Sequence, residues 1–355
     1  MIRTVIIGTG SYIPEVVVTN KSFEDSEFLE TDGRKLDKTN VGIIEKFQEI
    51  TGISERRYAH DSQNASDLAF NAAQDALSSA GINAESLDYI IVAHNFGDVS
   101  FQSNRVNMVP SLASRVKALL NIENPDCVAY DVAFGCPGWL EGVIQANYFI
   151  TSGDAKRCMV IGTETLSRVI DPHDRDSMIY SDGAGCVILE GAESEKGIIA
   201  HKSRTFAVQY SELLGMDQSN LNGNSVDDNL YLKMKGRKVY EFALTNVPEL
   251  IRLTLEKCNL QLKDIDKILI HQANNKMDEA IVQRLFRLCK VSDIPEGIMP
   301  MTIGWLGNSS VATIPTLLDL TTKGKLNGHI LKEGHTVVMA SVGAGMNINA
   351  IVYRF

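Results

Sequence analysis

Two segments of the chain, 178 residues apart, repeat a helix end followed by an apolar strand. Residues 77–92 (LSSAGINAESLDYIIV) align without a gap with residues 255–270 (LEKCNLQLKDIDKILI), and 159–161 (MVI) matches 337–339 (VVM) at the same offset. Apolar strands resemble one another by chance, but a shared offset of half the chain favours an internal duplication. The sequence therefore predicts two α/β halves, each a sheet covered by helices, with the boundary between residues 190 and 191.

Composition excludes several classes of protein. The chain has 355 residues, 44% of them apolar, which is enough to bury a large core. Its net charge of -10 argues against a general nucleic-acid binder, which needs clustered Lys and Arg. We find no signal peptide and no apolar run of the roughly 20 residues that a membrane helix needs, so no membrane association is expected. Six cysteines without a C-x-x-C motif indicate a reducing, cytoplasmic setting and no metal framework.

Residues 131–142 (DVAFGCPGWLEG) place Cys136 between a predicted strand and a predicted helix. An apolar run before it predicts the strand, and the apolar pattern after Pro137 predicts a helix that continues to Gly153. Gly135 permits a tight turn between them. Because unpaired N–H groups at a helix N-terminus stabilise a thiolate, this position suits a nucleophile.

A structural role is the simpler interpretation of a cysteine. Free cysteines are among the most buried residues and usually pack as small apolar side chains. On residue type alone that interpretation is open to Cys136 as well, and only its turn favours catalysis. The remaining cysteines lie in predicted apolar strands or helices and are assigned to the core: Cys127, Cys158, Cys186, Cys258 and Cys289.

Strand ends of the second half carry two further polar side chains. The predicted strand 268–270 runs into His271, and residues 301–306 lead to Asn308 before an apolar helix. Taken alone, the histidine is typical of a core or surface residue and the asparagine of a turn or helix cap. Ligands gather at strand ends of α/β proteins, so we expect both residues to face one pocket with Cys136. A thiol beside polar donors suits attack on a thioester carbonyl.

With these residues in place, the chain resembles β-ketoacyl-acyl carrier protein synthase III, an initiating condensing enzyme of the thiolase superfamily. The motifs HQAN (271–274) and GNSS (307–310), in this order after the cysteine turn, are specific to that family. The similarity covers nearly the whole chain and includes the segments 7–15, 51–53, 131–142, 171–175, 181–185, 343–345 and 352–355.

The resemblance implies a thiolase-like fold layered α-β-α-β-α, with the nucleophile in residues 1–190 and its polar partners in residues 191–355. Cys136 would take an acyl group from a thioester. His271 and Asn308 would then bind the thioester carbonyl of malonyl-acyl carrier protein while carbon dioxide leaves. The backbone N–H groups of Cys136 and Ala344 would form the oxyanion hole.

The activity implied is that of an acyltransferase, which forms a β-ketoacyl thioester and initiates fatty-acid or related lipid synthesis. The resemblance implies a homodimer that uses no metal and no resident cofactor. CoA or carrier-protein phosphopantetheine thioesters would be substrates, and an acyl carrier protein the partner.

Several positions differ from the family pattern around the donor. Lys46 and Ile50 stand where the family usually has a tryptophan and an arginine that hold CoA, and Glu241 replaces a lysine. Arg175, the other adenine contact, is kept, and Lys276 replaces an arginine that meets the carrier. Both acyl-CoA and an acyl group on a carrier protein are therefore expected donors.

The stretch 94–110 (HNFGDVSFQSNRVNMVP) is longer than its counterpart in the family and has Val109 where an aromatic commonly closes the acyl tunnel of the neighbouring subunit. Loop drift is one explanation. The other is a roomier pocket that accepts a longer or branched acyl chain.

Three other functions compete with this one. A degradative thiolase needs a second cysteine near the C-terminal glycine segment, and residues 341–347 contain none. A condensing enzyme of secondary lipid or polyketide synthesis, using a longer or carrier-bound donor, would keep Cys136, His271 and Asn308 and is the main alternative. A non-catalytic subunit that binds acyl carriers would have no need of the three residues together.

Overall fold

The structure is a computed structural model that describes residues 2–221 and 229–355. In the first half, the strands and helices follow the order β1 (Ile2–Tyr12), β2 (Val16–Thr19), α1 (Asn40–Thr51), β3 (Glu55–Tyr58), α2 (Ala65–Ala80), β4 (Tyr89–Ala93), β5 (Asp98–Val99), β6 (Val106–Asn107), α3 (Leu112–Leu119), β7 (Val128–Val132), α4 (Gly138–Ser152), β8 (Arg157–Thr165) and β9 (Asp182–Glu193).

The second half begins with a strand only a few residues after β9 and repeats much of this pattern. Its elements are β10 (Gly197–Thr205), α5 (Ala207–Tyr210), β11 (Leu214–Asp217), β12 (Tyr231–Met234), α6 (Gly236–Lys257), β13 (Lys267–Ile270), α7 (Asn275–Leu288), α8 (Ile303–Leu306), α9 (Thr313–Thr322), β14 (Thr336–Gly343) and β15 (Asn347–Arg354).

Two mixed sheets organise the molecule. The first has the strand order β1-β9-β8-β4-β7, in which β4 runs parallel to both β7 and β8. The second has the order β10-β15-β14-β13, in which β13 runs parallel to β14. The carboxyl ends of β4, β7 and β8 therefore meet at one edge of the first sheet, and those of β13 and β14 meet at one edge of the second.

Helices cover both faces of each sheet, so the chain has five layers. Leu68 of α2 and Val116 of α3 pack with strand residues such as Ile90 on the outer face of the first sheet. Helices α6 and α7 cover the outer face of the second sheet. Between the sheets lie Val143 of α4 and Leu317 of α9, in one core with residues of β8 and β14. The expected α-β-α-β-α layering is confirmed.

The duplication is visible in the fold. Strand β4 begins at Tyr89 and β13 begins at Lys267, 178 residues later. β4 runs parallel to β8, and β13 runs parallel to β14. The strands of the first sheet end at Glu193, and those of the second begin at Gly197. Because α4 and α9 share one central layer, the two halves bury a common core; the division at residue 190 stays a prediction.

No helix in the two described ranges has both the length and the apolar character needed to cross a lipid bilayer.

Candidate active site

Four segments that are far apart in sequence line one cavity of about 870 Å³. Cys136 comes from the turn between β7 and α4, His271 from the end of β13, Asn308 from the segment after α8, and Ala344 from the residue after β14. The fold thus brings together all three side chains that the sequence singled out, and the residue expected to supply a backbone donor.

The turn at Cys136 packs directly against the segment after β14. Gly135 has φ +66°, and a Cβ there would lie 2.7 Å from the backbone nitrogen of Ala344. A Cβ at Gly343 would in turn lie 2.5 Å from the backbone nitrogen of Cys136. Real Cβ contacts are longer than this, so glycine is required at both positions. The contacts bring the two backbone segments that carry the N–H groups of Cys136 and Ala344 against each other, and their role as an oxyanion hole stays a prediction.

We expect Gly135→Ala to disable the site while most of the fold survives. The added methyl must push the Ala344 backbone away and also forces alanine into a left-handed conformation. A displacement of one donor by about 1 Å lowers the rate at a preorganised site by on the order of 100-fold. Steady-state kinetics with circular dichroism as a folding check would measure this, and unchanged kcat would contradict it.

The sulfur of Cys136, a half-buried residue, is a hydrogen-bond acceptor. Ser310 Oγ donates to Cys136 Sγ at 3.2 Å. Burial nevertheless raises the pKa of the Cys136 thiol to about 11, although the Ser310 hydrogen bond opposes the rise, and the nearby Glu164 adds to it. The Ser310 hydroxyl and the backbone N–H of Cys136 both favour the thiolate, but loss of solvent outweighs them. Whether the helix N-terminus activates Cys136 for attack stays a prediction.

His271 is only 3% exposed, and burial lowers its pKa to about 4, so its imidazole is neutral at pH 7. Its Nδ1 lies 2.8 Å from Thr313 Oγ1, whose hydroxyl donates to the Ser310 carbonyl at 2.9 Å. With that hydroxyl proton engaged, Thr313 accepts from Nδ1–H and leaves Nε2 as an acceptor. If the hydroxyl turns to donate to Nδ1, Nε2 becomes the donor.

Asn308 is held by main-chain contacts on both sides. Its backbone N–H donates to the carbonyl of Ile179, and its backbone carbonyl accepts from the N–H of Ser181, each at 2.9 Å. The side-chain Oδ1 accepts from the N–H of Ser310 at 2.8 Å. Because the oxygen of the amide is engaged, the NH₂ group is the end that can serve a bound oxyanion.

Three residues at the site were missed by the sequence analysis: Asn95, Glu164 and Ser310. Asn95 follows β4, Glu164 lies near the end of β8, and Ser310 is the last residue of the GNSS motif. A signal did exist for the first two. β4 and β8 are parallel neighbours of one sheet, so polar residues at their carboxyl ends reach the same edge as Cys136.

Basic side chains surround the part of the cavity lined by α1, α6 and α7. Lys276 pairs with Glu49 at 3.2 Å, and Lys46 pairs with the same carboxylate at 2.8 Å. Glu241, which departs from the family pattern, pairs with Arg237 at 3.0 Å. The basic residues that line the cavity are Lys38, Lys46, Arg175, Arg237 and Lys276.

The loop 94–110 reaches this cavity only through its first residues. Asn95 and Phe96 line it, whereas Val109 is 87% exposed on the surface of this chain. A role for Val109 in the tunnel of a neighbouring subunit stays a prediction.

Within residues 2–221 and 229–355, no three His, Cys, Asp or Glu side chains are grouped so that they could hold a metal ion.

Comparisons with known proteins agree over the whole chain. The family model described as 3-oxoacyl-[acyl-carrier-protein (ACP)] synthase III matches residues 130–206, and the model of its C-terminal part matches residues 255–355. Beta-ketoacyl-[acyl-carrier-protein] synthase III of Ruegeria pomeroyi is 33% identical over 359 residues, which cover 99% of this chain and 99% of that protein.

Solved structures give the same result. The 3-oxoacyl-(acyl carrier protein) synthase III of Pseudomonas aeruginosa matches with a TM-score of 0.80 at 26% identity, covering 99% of this chain and 98% of that one. The corresponding enzyme of Aquifex aeolicus has a TM-score of 0.78 at 29% identity, with 99% and 100% covered. The likeness confirms the thiolase-like fold.

Proposed function

The chain belongs to the 3-oxoacyl-[acyl-carrier-protein] synthase III family, and on that premise we propose that it condenses an acyl thioester with malonyl-acyl carrier protein. The product is a β-ketoacyl thioester, and the reaction initiates fatty-acid synthesis. The enzyme is thus an acyltransferase. The observation that carries the proposal is the single cavity lined by Cys136, His271, Asn308 and Ala344.

The first step is acyl transfer to Cys136. Its sulfur attacks the carbonyl carbon of the donor thioester, and the N–H groups of Cys136 and Ala344 donate to the oxyanion. The bond from that carbon to the donor sulfur breaks. His271 Nε2, an acceptor while Thr313 holds Nδ1–H, takes the thiol proton and passes it to the departing thiolate. Because the pKa of His271 is low, the imidazole is neutral at pH 7 and free to accept this proton, which it does not retain.

The second step is loss of carbon dioxide from malonyl-carrier. The bond to the carboxylate breaks, and its electron pair forms an enolate whose oxygen needs fixed donors. The amide NH₂ of Asn308 supplies one donor. His271 Nε2–H supplies the other, in the tautomer that Thr313 stabilises by donating to Nδ1.

The third step forms the carbon–carbon bond. The enolate carbon attacks the acyl carbon on Cys136, and the carbon–sulfur bond to the enzyme breaks. Cys136 leaves as a thiolate and takes up one proton, so the overall reaction consumes a proton and releases carbon dioxide and the donor thiol. The steps draw on a thiol and fixed donors, with the thioesters of CoA or of a carrier's phosphopantetheine as substrates rather than cofactors.

An acyl carrier protein is the partner that the basic residues around the cavity suit. Carrier proteins present an anionic phosphate on the pantetheine arm, and Arg175 and Lys276 line the cavity at which that arm would enter. Lys46 and Ile50 line the same cavity. Because these positions lack the aromatic ring and guanidinium expected to bind CoA, we propose a carrier-bound acyl group as a donor in addition to acyl-CoA.

A homodimer and a cytoplasmic location complete the proposal. β7 lies at one end of the first sheet, where Val128 is exposed, and Tyr148, Phe101 and Met108 are exposed large side chains as well. Apolar surface of this kind is typical of a subunit interface. All six cysteines are free thiols, which suits a reducing compartment.

We expect the protein, incubated with an acyl donor and malonyl-carrier, to release carbon dioxide, donor thiol and β-ketoacyl-carrier in equal amounts. Donors should be tested in matched pairs, each acyl group once on CoA and once on a carrier, from acetyl to long and branched chains. Mass spectrometry of the carrier identifies the product, and omission of malonyl-carrier is the control. A free fatty acid as the product, or carrier binding without turnover, would contradict the proposal.

The same donor screen tests the specialised alternative, to which the relatives give no added support. Turnover confined to long, carrier-bound chains would favour it, whereas a sole preference for acetyl would exclude the roomier pocket predicted from residues 94–110.

A further inference from the structure

A line of hydrogen bonds leads from the loop after β4 to the candidate nucleophile. The side-chain Nδ2 of Asn95 donates to Ser310 Oγ at 3.1 Å. Ser310 Oγ in turn donates to Cys136 Sγ at 3.2 Å. Asn95, Ser310 and Cys136 all line the cavity.

We propose that Asn95 is a positioning residue for the nucleophile, which acts through Ser310 to stabilise the thiolate of Cys136. This inference rests on the proposed function only in taking Cys136 as the nucleophile. A hydroxyl has one proton, and the Asn95 NH₂ group can only donate to it. The Ser310 proton is therefore directed to the sulfur, and a hydroxyl that accepts a hydrogen bond is itself a stronger donor.

Glu164 fixes the orientation of the Asn95 amide. Its Oε1 accepts from both the backbone N–H of Asn95, at 2.9 Å, and the side-chain Nδ2. Because Oε1 accepts from the backbone N–H of Asn95, it is an acceptor toward the side chain as well, so the amide presents Nδ2 to it and to Ser310. The opposite orientation would set the amide oxygen of Asn95 against the acceptor oxygen Oε1.

A second set of contacts ties the loop to the segment that carries Cys136. His94 Nδ1 accepts from the N–H of Gly97 at 3.0 Å, so its Nε2–H donates to Asp131 at 2.9 Å. Asp131 also accepts from the N–H groups of Leu112 and Ala113. Because Asp131 belongs to β7, the strand that ends at the turn of Cys136, the loop and the nucleophile share one anchor.

Asn95 also bears on the electrostatics of the site. The titratable groups that face the thiol are Glu164 of β8, Tyr180 before β9 and His271 after β13. Glu164 is buried, which raises its pKa to about 8, and both hydrogen bonds from Asn95 oppose that rise. If Asn95 had only a structural role, its removal would affect Glu164 and leave the thiol unchanged. In the proposed role, its removal also changes the Cys136 thiol, because the effect is transmitted by Ser310.

The test is the pH dependence of Cys136 alkylation, which needs no substrate and no turnover. Iodoacetamide is added from pH 6 to 10, below the midpoint, where the alkylation rate is proportional to the thiolate fraction and a shift of the midpoint is read as a ratio of rates. The peptide bearing Cys136 is quantified by mass spectrometry for wild type, Asn95→Ala, Ser310→Ala and the double variant. Ser310→Ala is expected to raise the midpoint by about one unit, which slows alkylation at fixed pH by about tenfold. Asn95→Ala is expected to slow it by about threefold.

The double variant separates the proposal from a structural role. If Asn95 acts through Ser310, Asn95→Ala has no further effect on the midpoint in the Ser310→Ala background. An unchanged midpoint in Asn95→Ala, or additive shifts in the double variant, would overturn the proposal. Asn107→Ala on the same loop is the matched control and should leave the midpoint unchanged. Asn95→Leu, closer in size, replaces Asn95→Ala if that variant is unstable.

Failure of this proposal and failure of the proposed function give different results. If Cys136 of Asn95→Ala is alkylated at the wild-type rate and the wild-type protein condenses thioesters, only the role of Asn95 is contradicted. A protein whose Cys136 midpoint moves as expected but which forms no β-ketoacyl product contradicts only the proposed function.

Discussion

Cys136→Ala should abolish the acyl-enzyme and reduce condensation by on the order of 1,000-fold or more, while decarboxylation of malonyl-carrier continues. The reason is that the two half-reactions use separate groups. Cys136 comes from the turn after β7, whereas His271 and Asn308 come from the second half of the chain. Removing the sulfur deletes the acyl acceptor and leaves the two side chains proposed to hold the enolate.

Intact-protein mass spectrometry after incubation with an acyl thioester measures the first effect, and carbon dioxide release from malonyl-carrier measures the second. Wild type should gain the mass of one acyl group, located on the peptide that contains Cys136. Cys127→Ala is the matched control, because that cysteine is buried away from the cavity and should leave the adduct intact. An adduct that persists in Cys136→Ala would place the nucleophile elsewhere.

The sequence was sufficient to predict the turn at Cys136 because the determinants of that turn are local. A glycine, a cysteine and a proline between an apolar strand and an apolar helix leave few backbone solutions. The structure has α4 beginning at Gly138, directly after that proline. The duplication was equally accessible, because a shared offset is a property of the sequence itself and does not depend on packing.

The ionisation of the site could not be predicted in the same way. Helix position is local, but burial depends on how both halves close over Cys136 and His271, and burial decides the pKa of each. The Asn95 and Ser310 contacts were missed for a related reason. They join residues 215 positions apart, and only the strand order of the first sheet brings the end of β4 beside the turn.

Asn308→Asp should cut decarboxylation of malonyl-carrier by on the order of 100-fold or more while acylation of Cys136 remains close to normal. The substitution is nearly isosteric. Aspartate keeps the oxygen that accepts from the N–H of Ser310, so the segment after α8 should keep its conformation. It replaces the amide NH₂, the donor proposed for the enolate, with an oxygen that repels negative charge.

The companion variant His271→Ala should behave differently, because we assign that imidazole to both half-reactions. Decarboxylation should fall by a similar factor. Acylation should slow as well, because alanine offers no atom that could take the thiol proton as Nε2 does. Rapid-quench measurement of the acyl-enzyme, beside carbon dioxide release, separates the two rates for each variant. If Asn308→Asp and His271→Ala slowed acylation equally, the shuttle role of His271 would be wrong. If neither slowed decarboxylation, the enolate would lie elsewhere in the cavity.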